Sequence, residues 1–318
     1  MDTTTQEGHR IKIVVIAGPT ASGKSALAVK LARWIASANR TGGPHHYAGA
    51  EIISADSRQV YRGMDIGTGK ITKREMVGVP HHLLDVASPK KQFSVSRFVV
   101  MAKRAIKQIQ KRGNIPIIVG GTGLWIDALV YDWPLPEVKP NAKLRLRFDK
   151  LTAKHLFEML EKLDPVRAKN IDRHNKRRLI RALEIIKTTK QPVQDFQIKY
   201  QKDPTILYLG IDLPFSKLEK KIKKRLLARI KQGLVAEVRN LKKSGLSWQR
   251  LESFGLEYRF VALYLQNKLT HKQMIEETYR AIRRYAKRQL RWFKRNGNVV
   301  WISTYIQAQK LARDFLDQ

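Results

Sequence analysis

The chain has 318 residues, 43% of them hydrophobic, so it can bury the core of one large α/β domain or two smaller ones. Its 62 basic and 27 acidic residues give a net charge of +35, which predicts a polyanionic partner, nucleic acid first; general solubility is the alternative explanation. The absence of cysteine excludes disulfides, thiolate zinc sites and a cysteine nucleophile. No apolar run approaches the ~20 residues that span a membrane, and the N-terminus lacks a signal-like core, so we expect a cytoplasmic protein without membrane association.

Residues 11–17 are a short, β-branched, apolar run that predicts a buried parallel strand. The next eight residues, GPTASGKS at 18–25, match the phosphate-loop pattern G-x-x-x-x-G-K-[ST] at every fixed position, and a helical pattern follows. In this context successive backbone N–H groups point at one anion, Lys24 adds a cation and the Ser25 hydroxyl can hold Mg²⁺. The residues expected to bind a di- or triphosphate are Gly18, Thr20, Ala21, Ser22, Gly23, Lys24 and Ser25.

Two further predicted strands end in polar residues. The strand over 51–55 stops just before Asp56, and the buried strand over 115–119 runs into GGTG at 120–123. Ligands of open parallel sheets bind outside the carboxyl ends of the strands, so the carboxylate of Asp56 and the side chain of Thr122 are expected to face the phosphate loop. A turn-capping role is the alternative for Asp56.

The strand–helix alternation of the first 130 residues includes a short strand over 80–86 and a helix over 94–112. It predicts an α/β fold with a P-loop NTPase-like, right-handed, doubly wound parallel sheet. Two histidines of the intervening loop, His45 and His46, are interpreted as solvent-exposed rather than as metal ligands. For His81, His82 and Asp85, packing or a local hydrogen bond is favoured over metal binding, because neighbouring residues of a strand point to opposite faces.

A proline-rich linker over 132–140 ends this alternation, and residues 141–201 are helical and highly charged without a strand pattern. A strand pattern returns over 207–212, and the helix after it places Arg225 and Arg229 beside its apolar stripe and closes on Gly233. We therefore predict a core in two segments, 10–136 and 204–318, separated by a helical insertion domain over 137–203.

The last long helix is predicted over 271–294, ahead of a final strand over 299–302. Its apolar residues follow a 3–4 spacing, and basic residues occupy nearly every other position, with Tyr285, Gln289 and Trp292 among them. Basic and aromatic residues together suit phosphate contacts and base stacking, although a charged helix is usually only a solvated face.

With these residues in view, the chain resembles the tRNA dimethylallyltransferases, also called tRNA isopentenyltransferases, over roughly residues 11–302. The segments that carry the resemblance are GPTASGKS (18–25), DSRQVYRGMDIGTGK (56–70), PHHLLD (80–85), GGTGLW (120–125), NKRRLIRALE (175–184) and YAKRQLRWF (285–293). The sequence departs from the family at Lys221, where an arginine is usual, and over SFGLEY (253–258), a variant of A-x-G-[YF]-[KR]-[EQ].

The resemblance implies transfer of a dimethylallyl group from dimethylallyl diphosphate to N6 of the adenosine 3′ of the anticodon, tRNA position 37, with release of diphosphate. It implies that Asp56 is the general base, that Thr122 lies in the reaction channel and that Arg225 binds diphosphate. The expected cofactor is Mg²⁺ on Ser25, and the expected partner of the monomer is the anticodon stem-loop. The residues expected to contact tRNA, besides the insertion as a whole, are Ser57, Arg58, Gln59, Gln191, Arg284, Lys287, Arg288 and Gln289.

Three other functions use a phosphate loop. A small-molecule or nucleoside kinase would use it on ATP, an adenylate isopentenyltransferase would prenylate free AMP, and a nucleotide-dependent switch would bind nucleic acid without chemistry. Neither the kinase nor the AMP-directed enzyme explains the charge of +35 or the basic C-terminal helix. The switch predicts RNA affinity that depends on nucleotide, and no prenyl transfer.

Overall fold

The computed structural model describes residues 12–40, 47–136, 138, 140–193 and 200–318. The chain separates into two compact units, Met1–Asp132 with Tyr200–Gln318, and Trp133–Lys199. The start of the first predicted strand at residue 11, and the loop histidines His45 and His46, lie outside the described residues. Within the described ranges no helix has the length and apolar character of a membrane span.

The first unit is built on a six-stranded sheet in which every neighbouring pair is parallel, in the order β3-β2-β4-β1-β5-β6. Its strands are β1 (Ile13–Ala17), β2 (Gly49–Ala55), β3 (His81–His82), β4 (Asn114–Gly120), β5 (Ile206–Ile211) and β6 (Val300–Ile302). The predicted α/β fold with a parallel P-loop-like sheet is confirmed. Of the strand predicted over 80–86 only His81–His82 is extended, because Leu83 and Asp85 adopt φ of 64° and 56°, which ends the extended backbone.

Helices cover both faces of this sheet. Helices α1 (Lys24–Arg40) and α14 (Tyr305–Asp317) share an apolar cluster with alternate residues of the strands, such as Ile16 and Ile117. Helices α3 (Val95–Lys111) and α4 (Gly123–Val130) pack together and against β4. The remaining helices of the unit are α2 (Lys73–Met76), α9 (Phe215–Lys231), α10 (Leu234–Lys243), α11 (Trp248–Ser253), α12 (Leu256–Leu265) and α13 (His271–Phe293).

The strand register brings three strand ends to one level. Gly120 of β4 pairs with Ala17 of β1 on one side and with Ala55 of β2 on the other. The phosphate loop, Asp56 and the 120–123 turn therefore leave the same edge of the sheet side by side. Gly120 is required for this approach, because a Cβ there would lie 2.2 Å from the carbonyl oxygen of Ala55.

A buried carboxylate organises β2. Glu51 accepts hydrogen bonds from Arg112, His82 and Asn114, at 2.7–2.8 Å. Burial by itself would raise the pKa of Glu51, but these partners outweigh it and lower the pKa to about 2. His82 thus has a structural partner, and the described residues contain no group of three or more metal-ligating side chains.

The second unit consists of α5 (Ala142–Asp149), α6 (Ala153–Leu163), α7 (Pro165–Asn170) and α8 (Lys176–Thr189), with no strand in its described part. Leu156, Leu160 and Leu183 are fully buried in its core. Buried Glu184 accepts hydrogen bonds from Arg145 and Arg181. Helices occupy most of residues 142–189, within the stretch predicted to be helical, whereas the described residues 190–193, 200 and 201 are not helical. The unit Trp133–Lys199 begins and ends four residues before the predicted insertion over 137–203.

Candidate active site

The loop after β1 has the backbone of an anion site. Ala21 and Gly23 take φ of 66° and 96°, which turns successive N–H groups toward one side. The amides of Lys24 and Ser25 open α1 and have no acceptor within the helix, so they are available to a ligand at its N-terminus. The hydroxyl of Ser22 is buried without a hydrogen-bond partner among the described residues. Such a loop can donate several hydrogen bonds to one phosphate group.

Two cations face this loop. The ammonium of Lys24 lies 3.1 Å from the carbonyl oxygen of Pro19, and the guanidinium of Arg225, from α9, donates to the hydroxyl of Thr20. Burial lowers the pKa of Lys24 to about 8, with Asp56 opposing the change and Arg225 and Arg229 adding to it. Burial, together with Arg229, lowers the pKa of Arg225 to about 10. The cluster therefore carries positive charge that an anionic ligand would stabilise.

Asp56 lies across the same cavity. Its Oδ1 accepts hydrogen bonds from the backbone N–H of Arg58 at 2.8 Å and of Gln59 at 3.4 Å, which is the turn-capping contact considered from the sequence. No described residue donates a hydrogen bond to Oδ2, so this oxygen is free to accept one from a ligand. One carboxylate oxygen thus fixes the turn while the other remains available for chemistry.

Thr122 is held next to Asp56 by the backbone and the hydroxyl of Ser57. Its Oγ1 lies 3.2 Å from the backbone N of Ser57, which donates to it, and 3.5 Å from the hydroxyl of Ser57. The phenol of Tyr285, on α13, lies near Thr122 and Asp56, and burial together with the charge of Asp56 raises the pKa of Tyr285 to about 12. Tyr285 is therefore a neutral hydrogen-bonding group at physiological pH.

The cavity encloses about 570 Å³ of space, part of it open to solvent. Thr20, Lys24, Ser25, Asp56 and Arg225 line its polar side. The exposed Ser25 hydroxyl and the Asp56 carboxylate are hard oxygen donors of the kind that Mg²⁺ accepts alongside phosphate oxygens and water. The apolar lining residues are Ile52, Ile71 and Val119.

The residues predicted to contact tRNA divide into three groups. Arg284, Lys287 and Arg288 are exposed on α13, and Gln191 is exposed in the second unit. Ser57, Arg58 and Gln59 are half-buried at the site and engaged within the protein: Arg58 Nε, for example, donates to the carbonyl oxygen of Phe254 at 2.9 Å.

The third group is Gln289 alone. Gln289 is expected from the sequence to contact tRNA together with its basic neighbours, but its side chain is 6% exposed and both ends of its amide are hydrogen bonded inside the protein. Its partners are Thr20 and Gly121.

Sequence reasoning missed a buried support beneath the 65–69 loop, which lines the cavity with Thr68 and Gly69. Arg229 Nη1 donates to the carboxylate of Glu257 at 2.7 Å and to the carbonyl oxygen of Gly67 at 3.0 Å. Glu257 is a buried acidic residue of α12 and lies in the variant 253–258 stretch. Its place in that variant stretch was the one signal in the sequence that could have pointed to this support. Lys221, the other departure from the family pattern, is exposed on α9.

A strand–loop–helix phosphate site at the carboxyl edge of a parallel sheet, with a carboxylate on the neighbouring strand end, defines a P-loop protein. Comparison with known proteins narrows this class. The sequence model of the IPP transferase family matches residues 59–296. The chain belongs to the IPP transferase family.

Curated relatives extend over nearly the whole chain. A tRNA dimethylallyltransferase of Anoxybacillus flavithermus is 40% identical over 294 residues, covering 91% of this chain and 89% of the relative. One from Caldanaerobacter subterraneus is 39% identical over 300 residues, covering 92% and 91%.

The solved structures that resemble this chain belong to proteins of the same kind as the curated relatives. The full-length tRNA isopentenylpyrophosphate transferase of Bacillus halodurans has a TM-score of 0.69 at 34% identity, with 97% of each chain covered. A eukaryotic dimethylallyltransferase acting on tRNA has a TM-score of 0.74 at 25% identity, covering 96% of this chain and 77% of its own.

Proposed function

We propose that this protein transfers the dimethylallyl group of dimethylallyl diphosphate to N6 of the adenosine 3′ of the anticodon, tRNA position 37. The observation that carries the proposal is that one cavity is lined by a phosphate loop, by two cations, Lys24 and Arg225, and by the carboxylate of Asp56. Family membership and the names of the relatives give the substrate class.

The diphosphate must supply most of the donor's affinity. At ~0.8 kcal/mol per buried CH₂ group, a five-carbon tail contributes only about 3–4 kcal/mol. Micromolar binding needs about 8 kcal/mol. The loop amides, Lys24 and Arg225 are suited to supply the rest, and the same groups stabilise the negative charge that grows on the diphosphate as it leaves. Mg²⁺ held by Ser25 and the phosphate oxygens would neutralise part of that charge.

The acceptor needs a base because the lone pair of adenine N6 is delocalised into the ring. In the proposed step the N6–C1 bond forms, the C1–O bond to diphosphate breaks, and the N6 proton passes to Oδ2 of Asp56. Thr122 and Tyr285 hold hydroxyl groups beside that carboxylate and stay protonated at neutral pH. The adenine must leave its stack to reach the cavity, at a cost of a few kcal/mol. Contacts of the exposed basic residues of α13 with RNA phosphates offset that cost.

The proposal is tested by incubating the protein with dimethylallyl diphosphate, Mg²⁺ and bulk tRNA, and digesting the RNA to nucleosides for mass analysis. N6-isopentenyladenosine is expected from the wild type and not from Lys24→Ala. Parallel reactions with AMP as acceptor, and with ATP and no prenyl donor, separate the alternatives. Prenylated AMP without prenylated tRNA, or ATP consumption without prenyl transfer, would overturn the proposal.

A further inference from the structure

One side chain joins the two loops of the cavity. Gln289, on α13, accepts a hydrogen bond at Oε1 from the backbone N of Thr20, 2.8 Å away in the phosphate loop. Its Nε2 donates to the carbonyl oxygen of Gly121, 2.7 Å away in the turn after β4. The two bonds use the acceptor and a donor of one amide. Gln289 therefore fixes the separation between the loop that faces the diphosphate and the turn that carries Thr122.

This bridge requires an amide of this length. Glutamate could accept from Thr20 but not donate to Gly121, and a methionine of similar size could do neither. The fit at Gly121 is close, since a Cβ there would lie 2.2 Å from Nε2 of Gln289. Because both backbone partners are matched, replacement of the amide leaves polar groups unsatisfied in a buried place.

Neighbouring residues link Gln289 to Arg225 at the phosphate loop and to Thr122 beside Asp56. The hydroxyl of Thr20 accepts a hydrogen bond from the Arg225 guanidinium. The residue held by Gln289 therefore also positions one of the two cations proposed to bind the diphosphate. One helical turn before Gln289, Tyr285 lies near Thr122. The exposed surface of α13 carries Arg284, Lys287 and Arg288.

We propose that Gln289 is a positioning residue for prenyl transfer, which aligns the phosphate loop with the Asp56–Thr122 side of the cavity. The assignment rests on the proposed function and replaces the tRNA contact predicted for Gln289. A bridge that sets the distance between donor and acceptor acts on the geometry of the reacting groups, where a displacement of about 1 Å can cost 10²-fold in rate. Loss of the bridge is therefore expected to change kcat and the KM for the prenyl donor, and to leave the affinity for RNA unchanged.

The experiment compares Gln289→Met with Arg288→Ala, its exposed neighbour on the same helix. For Gln289→Met we expect kcat/KM for dimethylallyl diphosphate to fall by about 10- to 100-fold, with the Kd for tRNA changed less than about twofold. For Arg288→Ala we expect the reverse, a weaker tRNA complex with a near-normal KM for the donor. The result that would overturn the assignment is unchanged donor kinetics in Gln289→Met, or a loss confined to tRNA affinity.

Two additions keep the outcome decisive. Gln289→Glu, which retains the Thr20 contact, is tested in case Gln289→Met fails to fold, and thermal melting reports the folded state of each. Binding of inorganic diphosphate without RNA is measured by calorimetry for all variants, and Gln289→Met should bind it at least about fivefold more weakly. If the wild type binds diphosphate but transfers no prenyl group, the proposed function fails, and the positioning role is then judged on diphosphate affinity alone.

Discussion

The phenol of Tyr258 donates a hydrogen bond to Oε1 of Glu237 over 2.7 Å, beneath the loop that lines one wall of the cavity. The same carboxylate accepts the backbone N–H groups of residues 65, 66 and 67 at 2.7–3.0 Å. The ring of Tyr258 packs on Gly67 so closely that a Cβ there would lie 2.6 Å from its Cζ. A carboxylate 170 residues away thus holds three consecutive amides of the wall.

We expect Glu237→Gln to loosen that wall, because an amide has one acceptor oxygen where the carboxylate has two. The predicted loss of stability is about 1–3 kcal/mol in chemical denaturation, with faster hydrogen exchange at residues 65–67 and a higher KM for the prenyl donor. Tyr258→Phe removes one of the four hydrogen bonds and should cost only about 0.5–1.5 kcal/mol. Equal effects of the two substitutions would contradict this account of the wall.

Asp56→Asn retains the oxygen that caps the turn at Arg58 but removes the proposed base. The single-turnover rate of prenyl transfer should fall by about 10²- to 10⁴-fold, while the Kd for tRNA stays within about twofold of the wild type. Rapid-quench kinetics at saturating donor, with filter binding of tRNA, separates the two quantities. Parallel losses of rate and RNA affinity would remove Asp56 as the base and leave it as a structural or RNA-contacting residue.

Affinity for inorganic diphosphate should decrease as pH rises through about 8, the pKa to which burial lowers Lys24 in the ligand-free protein. The sign follows because the protonated ammonium is the binding form, and a bound anion stabilises that form. Lys24→Arg stays charged throughout, so the ratio of the two affinities cancels the titration of diphosphate itself. Calorimetry between pH 6.5 and 9.5 should show the wild-type advantage shrinking; a constant ratio would mean that Lys24 does not pair with the ligand.

Binding of tRNA should weaken steeply with salt, and alanine at Arg284, Lys287 or Arg288 should each reduce the slope of log K against log salt by about 1. Exposed Lys310 is the matched control. It lies on α14, which packs against α1, and is not part of the α13 surface. Lys310→Ala should leave the slope unchanged. Identical slopes for all four variants would show that α13 is not the phosphate-contacting surface.

The local features of the site follow from the sequence alone. The phosphate loop, the helix that begins at Lys24 and the strand ends before Asp56 and at Gly120 lie where the pattern predicts them. The helical character of the 141–189 region is also predicted by its sequence. Glycine spacing, β-branched runs and the 3.6-residue period act through backbone conformation and burial within a few residues, so they can be recognised without the rest of the chain.

The supports of the site were decided only by the tertiary structure. In the sequence Gln289 is a polar residue among basic neighbours. It is nevertheless buried, because its amide forms hydrogen bonds with Thr20 and Gly121, which are 269 and 168 residues away. Arg229 and Glu257 stay buried as charges because each supplies the partner that the other needs. A polar side chain enters a core only where distant backbone or an opposite charge satisfies it, and that partner is set by packing rather than by local sequence.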